Sequence, residues 1–410
     1  MPFTEPTNAL YKRLKDEAFQ ERDAEDHDAV NAADEQSEIE NSERHSICTP
    51  TKQPVMEQSG QSDQGIGPND ILLLKVIGRG TFAQQVALAR HRHTQDIFVV
   101  KTLDKQHLVR RKQVRHTLTE KKVLQNLSGH PFIVKLYSAF QTECDVNFVL
   151  EYCQGGELFF HLQHHKAQKF EEATMAFYAA EVLSALKTLH EKGVVYRDLK
   201  PENVLLDAQG HIKLADFGFA KQEMMPKCKT FSFCGSPEYL SPEMVAKAGH
   251  GIETDMWSYG CFCYELLTGL PPFQDDNLST LFQKITMGKV WYPPDLSEKA
   301  SSLLRDLLCV DPSKRLTAAD AMNHPFFSDL DWEKLQNRQV SPPIRPECHG
   351  CDCTRNFDDG FTTSPLKFIK PHPSSKSKTD ITCGPDFGSC GSAEHPKKQK
   401  VDFHDAFAEF

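Results

Sequence analysis

The sequence lacks any run of about 18 apolar residues, which is the length a helix needs to cross a bilayer, so we expect no membrane span. The first residues, MPFTEPTNALYKRLKDEAF, lack the apolar core of a secretory signal peptide. The 13 cysteines mostly stand singly in apolar stretches, which favours free thiols in a reducing compartment over a disulfide framework. Together these features predict a cytoplasmic protein.

A dominant basic patch is also missing, so we expect no nucleic-acid partner. The net charge is −10, and residues 1–65 hold about 15 acidic and 6 basic side chains. This segment is rich in Glu, Asp, Gln, Ser and Asn and has few large apolar residues that could offset the entropy of ordering. We therefore predict a disordered acidic N-terminal segment over residues 1–65.

The next part of the chain has the character of a β-sheet. Strand-like runs are ILLLKVIG, VIGRGTFAQQVALA, IFVVKTL, FIVKLYSAF and VNFVLEY, and residues 107–127 show a helical pattern. The pattern changes near residue 153, because residues 172–192 predict a strong helix and more helices follow up to Phe327. These patterns predict an α+β fold with a small β-rich N-lobe (70–152), a larger helical C-lobe (153–327) and an extended or disordered tail (328–410).

A glycine-rich turn lies between the first two strands. Gly78 and Gly80 would allow backbone N–H groups to approach phosphate oxygens, although Ala83 stands where a third glycine would be. By itself this pattern fits a plain hairpin turn equally well.

Lys101 lies in an apolar strand and needs a charged partner, and Glu120, 19 residues later, is a candidate. Such an ion pair would aim the ammonium group at nucleotide phosphates.

The most specific motif is Tyr-Arg-Asp-Leu-Lys-Pro-Glu-Asn at residues 196–203, followed by Asp-Phe-Gly at 216–218. Asp198 can orient a substrate hydroxyl and accept its proton, and Lys200 can neutralise charge on a transferring phosphoryl group. Asn203 and Asp216 can hold a metal ion, since Mg²⁺ prefers oxygen ligands. The complete set, at this spacing after the glycines, Lys101 and Glu120, indicates phosphoryl-transfer chemistry.

Residues 70–330 resemble a eukaryotic protein kinase catalytic domain. Tyr196 in place of His before Arg-Asp, the segment PFFSDLDWEKL and the C-terminal tail resemble the AGC group, in its Akt/SGK/ribosomal-protein-kinase and cyclic-AMP-dependent-kinase branch. The resemblance implies a two-lobed kinase fold and a serine/threonine kinase that uses ATP and Mg²⁺ on protein substrates. It also implies an upstream activating kinase, whereas a regulatory subunit stays undecided.

The resemblance further implies which residues bind the nucleotide. Leu150 would guard the adenine pocket, the backbone of Glu151 and Cys153 would bond the adenine ring, and Glu157 would lie near the ribose. The full set implied for ATP is Gly78, Gly80, Val86, Val99, Lys101, Glu120, Leu150, Glu151, Cys153, Glu157 and Leu205.

Three acidic residues, Glu157, Glu202 and Glu265, match those with which similar kinases bind basic residues before the phosphoacceptor. Carboxylates around one groove select for Arg by charge and by bidentate hydrogen bonds. The predicted substrate has Arg about three residues before the Ser or Thr. Solvated surface glutamates are the plainer alternative.

Regulation can be inferred in the same way. Ser232 matches the activation-loop phosphosite, with Thr230 as the alternative, and His116, Arg197 and Lys221 match the basic groups that hold its phosphate. We also expect Ser236 to contact Asp198 and Lys200, and Asp255 to contact the catalytic-loop backbone. Glu243 and Arg315 should form a structural ion pair. Phe407 and Phe410 should dock on the small lobe as a hydrophobic motif.

Several alternatives remain open. A nucleotide-binding pseudokinase scaffold would also fit Ala83, and a small-molecule kinase is disfavoured by Ser-Pro-Glu at 241–243. The group Cys348, His349, Cys351 and Cys353 could suggest zinc, but a second ligand pair at finger spacing is missing. Pro-Lys-Lys-Gln-Lys at 396–400 resembles a nuclear import signal, which leaves a nuclear location open beside the cytoplasmic one.

Overall fold

The computed structural model describes residues 66–80, 83–224, 228–367, 406, 407 and 410. The predicted acidic segment 1–65, the basic run 396–400 and most of the predicted tail lie outside the described residues. Within the described ranges, no helix has both the length and the hydropathy that a membrane crossing requires.

Two compact units are formed, and the first contains both sheets. Its larger sheet is antiparallel with strand order β1-β2-β3-β5-β4. The strands are β1 (Ile71–Gly78), β2 (Ala83–His91), β3 (Ile97–Asp104), β4 (Leu136–Gln141) and β5 (Asp145–Leu150). The central strand β3 is buried from Phe98 to Leu103, as expected for a strand with neighbours on both sides.

Two helices interrupt this sheet where the sequence predicted one. Helix α1 (Lys105–Arg110) begins at Asp104, whose carboxylate accepts from the backbone N–H of His107 at 2.7 Å. Helix α2 spans Val114–Asn126. The chain breaks between them because Lys112 adopts a left-handed φ of 52°.

A three-stranded sheet and the tail complete the first unit. Its strands are β6 (Gly156–Glu157), β7 (Val204–Leu206) and β8 (Ile212–Leu214). The tail comes so close to Gly156 (φ 69°) that an added Cβ would lie 2.2 Å from the carbonyl oxygen of Asn356. Only glycine fits there.

The second unit is helical and comprises residues 161–203 and 219–339, apart from 225–227. Helix α4 (Glu172–Glu191), close to its predicted bounds, packs against α6 (Glu253–Thr268). Trp257 stacks on Phe273 at 5.6 Å in the core between helices. The other helices, including two that belong partly or wholly to the first unit, are α3 (Leu158–His164), α5 (Pro242–Val245), α7 (Leu278–Met287), α8 (Glu298–Leu307), α9 (Ala318–Met322), α10 (Trp332–Gln336) and α11 (Asp359–Thr362).

The β-rich N-lobe and helical C-lobe expected from sequence are confirmed. The domain boundaries at residues 70, 152 and 327 stay predictions.

Candidate active site

Lys101 lies at the centre of a buried ion-pair cluster in the first unit. It pairs across the sheet with Val86 on β2 and Phe148 on β5, so its position is fixed by the register of three strands. Its Nζ atom is 2.8 Å from Oε1 of Glu120 on α2 and 2.9 Å from Oδ1 of Asp216. Burial lowers the pKa of Lys101, but the two carboxylates outweigh it and hold the pKa above its ordinary value. The ammonium group is therefore charged.

Asp216 itself is held in an uncommon backbone conformation, with a φ of 53°. Its Oδ1 atom accepts from the backbone N–H of Gly218 at 3.4 Å. A Cβ added at Gly218 would lie 3.3 Å from that oxygen, so glycine gives the carboxylate room. The loop thus presents an oxygen ligand of the kind that Mg²⁺ prefers.

A second cluster, in the helical unit, surrounds Asp198. The side-chain amide of Asn203 donates to the Asp198 carboxylate at 2.8 Å and to its carbonyl oxygen at 2.7 Å. Lys200 Nζ lies 3.3 Å from the carboxylate and 2.7 Å from Oγ of Ser236. The backbone N–H and the hydroxyl of Ser236 both donate to Asp198 at 3.1 Å, which is the contact expected from sequence.

The backbone of the loop that carries Asp198 is held by hydrogen bonds to Asp255. Asp255, fully buried on α6, accepts from the backbone N–H of Tyr196 and of Arg197 at 2.8 Å each. Arg197 has a φ of 70°, a conformation that needs such support. Asp255 therefore contacts the catalytic-loop backbone as predicted.

The residues expected around adenine occupy two sheets. Val86, Val99 and Leu150 pack in one apolar cluster with Tyr152 and Phe357 of the tail. Val99 lies opposite Leu150 in the β3–β5 ladder, whereas Leu205 lies opposite Glu157 in the smaller sheet.

The segment after β5 is held by contacts of both Glu151 and Cys153. The carboxylate of Glu151 pairs with Lys213 at 3.0 Å, and its backbone N–H donates to Lys135 at 2.9 Å. Cys153 is buried, and its carbonyl oxygen accepts from Gly156 N–H at 3.1 Å. Burial and Glu151 raise the pKa of the Cys153 thiol, so it is a neutral apolar side chain.

Of the three acidic residues predicted to bind basic substrates, Glu202 and Glu265 belong to the helical unit. Glu265 is buried and accepts a hydrogen bond from the Tyr239 hydroxyl. Burial, then Glu265 and Glu202, raise the pKa of Tyr239, so both carboxylates lie near this phenol. Glu157 belongs to β6 in the other unit.

The activation segment brings together two of the three predicted basic groups. Arg197 donates to Oγ of Ser232 at 2.5 Å, and Lys221 donates to Oγ1 of Thr230 at 2.8 Å. His116 belongs to the first unit, where its Nδ1 atom lies 3.3 Å from the carbonyl oxygen of Gly218.

The terminal phenylalanines contact the first unit. Phe407 is fully buried, with Lys105 Nζ 5.3 Å from its ring centroid. Phe410 packs edge to face on Phe148 at 5.3 Å, and Lys121 donates to its carbonyl oxygen at 2.6 Å. The docking predicted for these two residues is present.

Sequence reasoning missed two partners in this region. Tyr152 stacks on Phe357 at 5.8 Å, and Lys213 pairs with Glu151. A charged residue within the short apolar run of β8 was the one available signal for Lys213. Its partner depends on tertiary structure.

Comparison with known proteins agrees with this geometry. The family described as "Protein kinase domain" matches residues 72–327. A RAC family serine/threonine-protein kinase homolog of Dictyostelium discoideum is 42% identical over 327 residues, which is 79% of this chain and 71% of that protein. The serine/threonine-protein kinase Sgk1 of Fundulus heteroclitus is 42% identical over 329 residues, 79% of this chain and 73% of Sgk1.

A third relative is longer than this chain. The serine/threonine-protein kinase gad8 of Schizosaccharomyces pombe is 45% identical over 294 residues, which is 71% of this chain. The match spans about half of gad8, 51% of its length.

Proposed function

Because the chain belongs to the AGC group of serine/threonine protein kinases, we propose that it phosphorylates Ser or Thr preceded by Arg and is activated by phosphate on Ser232. The observation that carries the catalytic part is the Asp198 carboxylate, held at once by Asn203, Lys200 and Ser236. Such fixed geometry supplies rate by positioning and by electrostatic stabilisation.

Each side chain has one task in this proposal. Asp198 orients the acceptor hydroxyl and takes its proton, while Lys200 faces the charge that moves with the phosphoryl group. Lys101, kept charged by Glu120 and Asp216, holds nucleotide phosphates. Asn203 and Asp216 offer the amide and carboxylate oxygens that fit Mg²⁺, which neutralises phosphate charge when bound.

Burial favours Ser232 over Thr230 as the modified residue. Thr230 is 1% exposed and its hydroxyl already bonds Lys221, whereas Ser232 is partly exposed. Ser232 is therefore the more accessible of the two hydroxyls. The added phosphate would gain charge-assisted hydrogen bonds from Arg197, which already donates to this hydroxyl.

The preference for Arg is supported by Glu202, a partly exposed residue of the catalytic loop. A desolvated carboxylate–guanidinium contact contributes roughly 1.5–3 kcal/mol. We therefore expect a peptide with Arg three residues before Ser to have a kcat/KM about 10- to 100-fold higher than its Gln analogue.

The activation proposal is tested by treating the purified chain with an activating AGC-directed kinase and mapping the phosphosites by mass spectrometry. We expect activity to rise by at least tenfold in the wild type and in Thr230→Val, and to stay basal in Ser232→Ala. Full activation of Ser232→Ala would contradict the proposal.

A further inference from the structure

His250 is a buried histidine with an unusual position beside the activation segment. It lies in the loop before α6 and is 3% exposed. Its backbone forms an isolated antiparallel bridge with Thr230, in which each N–H donates to the other carbonyl at 2.9 Å. Directly opposed residues in such a pair project their side chains to the same face, with Cβ atoms about 5 Å apart. The imidazole therefore shares a face with the Thr230 hydroxyl.

That face is where the two cations of the activation segment converge. Thr230 Oγ1 accepts from Lys221 and lies 3.2 Å from Oγ of Ser232, which in turn accepts from Arg197. The Glu253 carboxylate lies next to Gly251, the residue after His250. Two hydroxyl groups and two cations are thus linked to this side of the bridge.

One nitrogen of the His250 imidazole lacks a hydrogen-bond partner among the described residues. Among the described residues, its Nε2 atom is fully buried and has no hydrogen-bond partner. Burial, Arg197 and Lys221 together lower the pKa of His250 to about 3, so the ring is neutral. A buried polar atom without a partner costs stability, and two cations beside it favour an anionic ligand.

We propose that His250 is a further ligand of the phosphate on Ser232 and that it takes up a proton from solvent when this phosphate is present. The inference rests on the proposed modification of Ser232. In that reaction the Ser232 oxygen forms a bond to the γ-phosphorus of ATP, ADP leaves, and the hydroxyl proton is released.

The charge balance gives the reason. A phosphoserine carries about −1.5 to −2 charges at pH 7, which offsets Arg197 and Lys221. Burial is the larger cause of the neutral imidazole, and the repulsion from these two cations adds to it. The phosphate removes that repulsion and gives Nε2 a charged acceptor. The protonated ring donates from both nitrogens.

The stability consequence has a defined sign. Without the phosphate, the folded pKa of His250 lies below its unfolded value near 6.5, so stability is lost as the pH falls through 6.5. With the phosphate, a folded pKa above the unfolded one adds stability at low pH. The gain in melting temperature caused by the phosphate must therefore grow as the pH falls from 8 to 6.

The test uses the full chain with phosphoserine incorporated at position 232 during translation, beside the unmodified chain. We expect the phosphate-induced rise in Tm to be about 2–4 °C larger at pH 6 than at pH 8, the shift that corresponds to about 1 kcal/mol in a domain of this size. His250→Gln should lack this extra rise. The phosphate's own ionisation near pH 6 affects the wild type and His250→Gln alike, so it cancels when the two are compared.

His130 provides a matched control. It is a partly buried histidine, and burial and Lys213 lower its pKa to about 4, but its Nδ1 accepts from the N–H of Phe132. His130→Gln should keep the extra rise at pH 6. An equal pH dependence in wild type and His250→Gln would overturn the inference.

A second readout protects the test if His250→Gln does not fold. His250→Tyr supplies a hydroxyl as hydrogen-bond donor but cannot bind a proton near neutral pH. The phosphoserine pKa is measured directly by ³¹P NMR. We expect this pKa to be lower in the wild type than in His250→Tyr, and equal values would reject His250 as a ligand. Kinase activity of the phosphoserine chain separates the two proposals. If the chain is inactive but still shows the His250 effect, the proposed activation by Ser232 phosphate is contradicted and the role of His250 as a phosphate ligand stands.

Discussion

At the residue scale, the catalytic groups are defined by the partners that hold them. Asp198 is 5% exposed and has hydrogen-bond donors on both carboxylate oxygens. Lys101 is 8% exposed and lies between two carboxylates. A buried charge with this many partners has one orientation, which is what in-line transfer requires.

Substrate selection belongs to the same scale. Glu202→Gln keeps the size of the side chain but removes its charge, so the attraction for a substrate guanidinium is weakened. We expect KM for the Arg-containing peptide to rise about tenfold, while kcat stays within about twofold.

Steady-state kinetics on the Arg peptide and its Gln analogue check this expectation. Glu298→Gln, a change at an exposed glutamate that pairs with Arg305, is the control and should leave both parameters unchanged. A loss confined to kcat would assign Glu202 to the chemical step instead.

Individual residues were predictable only where a motif fixed their role. The spacing of Asp198, Lys200 and Asn203 was sufficient to expect one cluster, because all three lie within six residues. The partnership of His250 with Thr230 joins residues 20 positions apart through a bridge between two irregular segments. No local periodicity signals such a contact.

At the scale of elements, helix α2 connects the ion pair to the docked terminus. It carries Glu120, which binds Lys101, and Lys121, which binds Phe410. Phe407 packs near Lys105 at the start of α1, and its carbonyl oxygen accepts from Gln141 at 3.1 Å. Loss of this docking should loosen α2 and with it the position of Glu120.

We expect Phe407→Ala to lower the free energy of unfolding by about 3–5 kcal/mol, because the ring is fully buried. Kinase activity should fall in parallel. Urea denaturation and a peptide assay measure the two effects. Val109→Ala, at a 36% exposed position on α1, should change stability by less than about 1 kcal/mol.

Element boundaries were harder to predict than element types. The sequence predicted one helix over 107–127, and the structure has two because Lys112 between them adopts a left-handed backbone conformation. A lysine in the sequence does not predict a left-handed conformation. Here that conformation accompanies the hydrogen bond from the backbone N–H of Gln113 to the carbonyl oxygen of Leu108. Long periodic segments such as α4 were located to within one residue.

At the scale of the whole molecule, the fold also depends on a buried ion pair outside the catalytic motifs. Arg315 donates to both carboxylate oxygens of Glu243 at 2.7 and 2.9 Å, and it also bonds two backbone carbonyls. Both side chains are almost completely buried. The predicted structural ion pair is present.

Removing one partner should leave an uncompensated buried charge. We expect Arg315→Met to lower the free energy of unfolding by about 3–5 kcal/mol. Lys169→Met, which breaks the exposed pair with Asp295, should cost less than about 1 kcal/mol. Denaturant midpoints compare the two, and similar losses would mean that burial does not govern the strength of these pairs.

Phosphate transfer to an Arg-containing peptide by Asp198→Asn tests the central claim most directly. Using chain phosphorylated at Ser232, we expect a fall in kcat of about 10²- to 10⁴-fold, because the substitution removes the base but keeps the side chain's shape. Asp275→Asn, at a partly exposed carboxylate that pairs with Lys284, should retain wild-type activity. Unchanged transfer by Asp198→Asn would contradict the account.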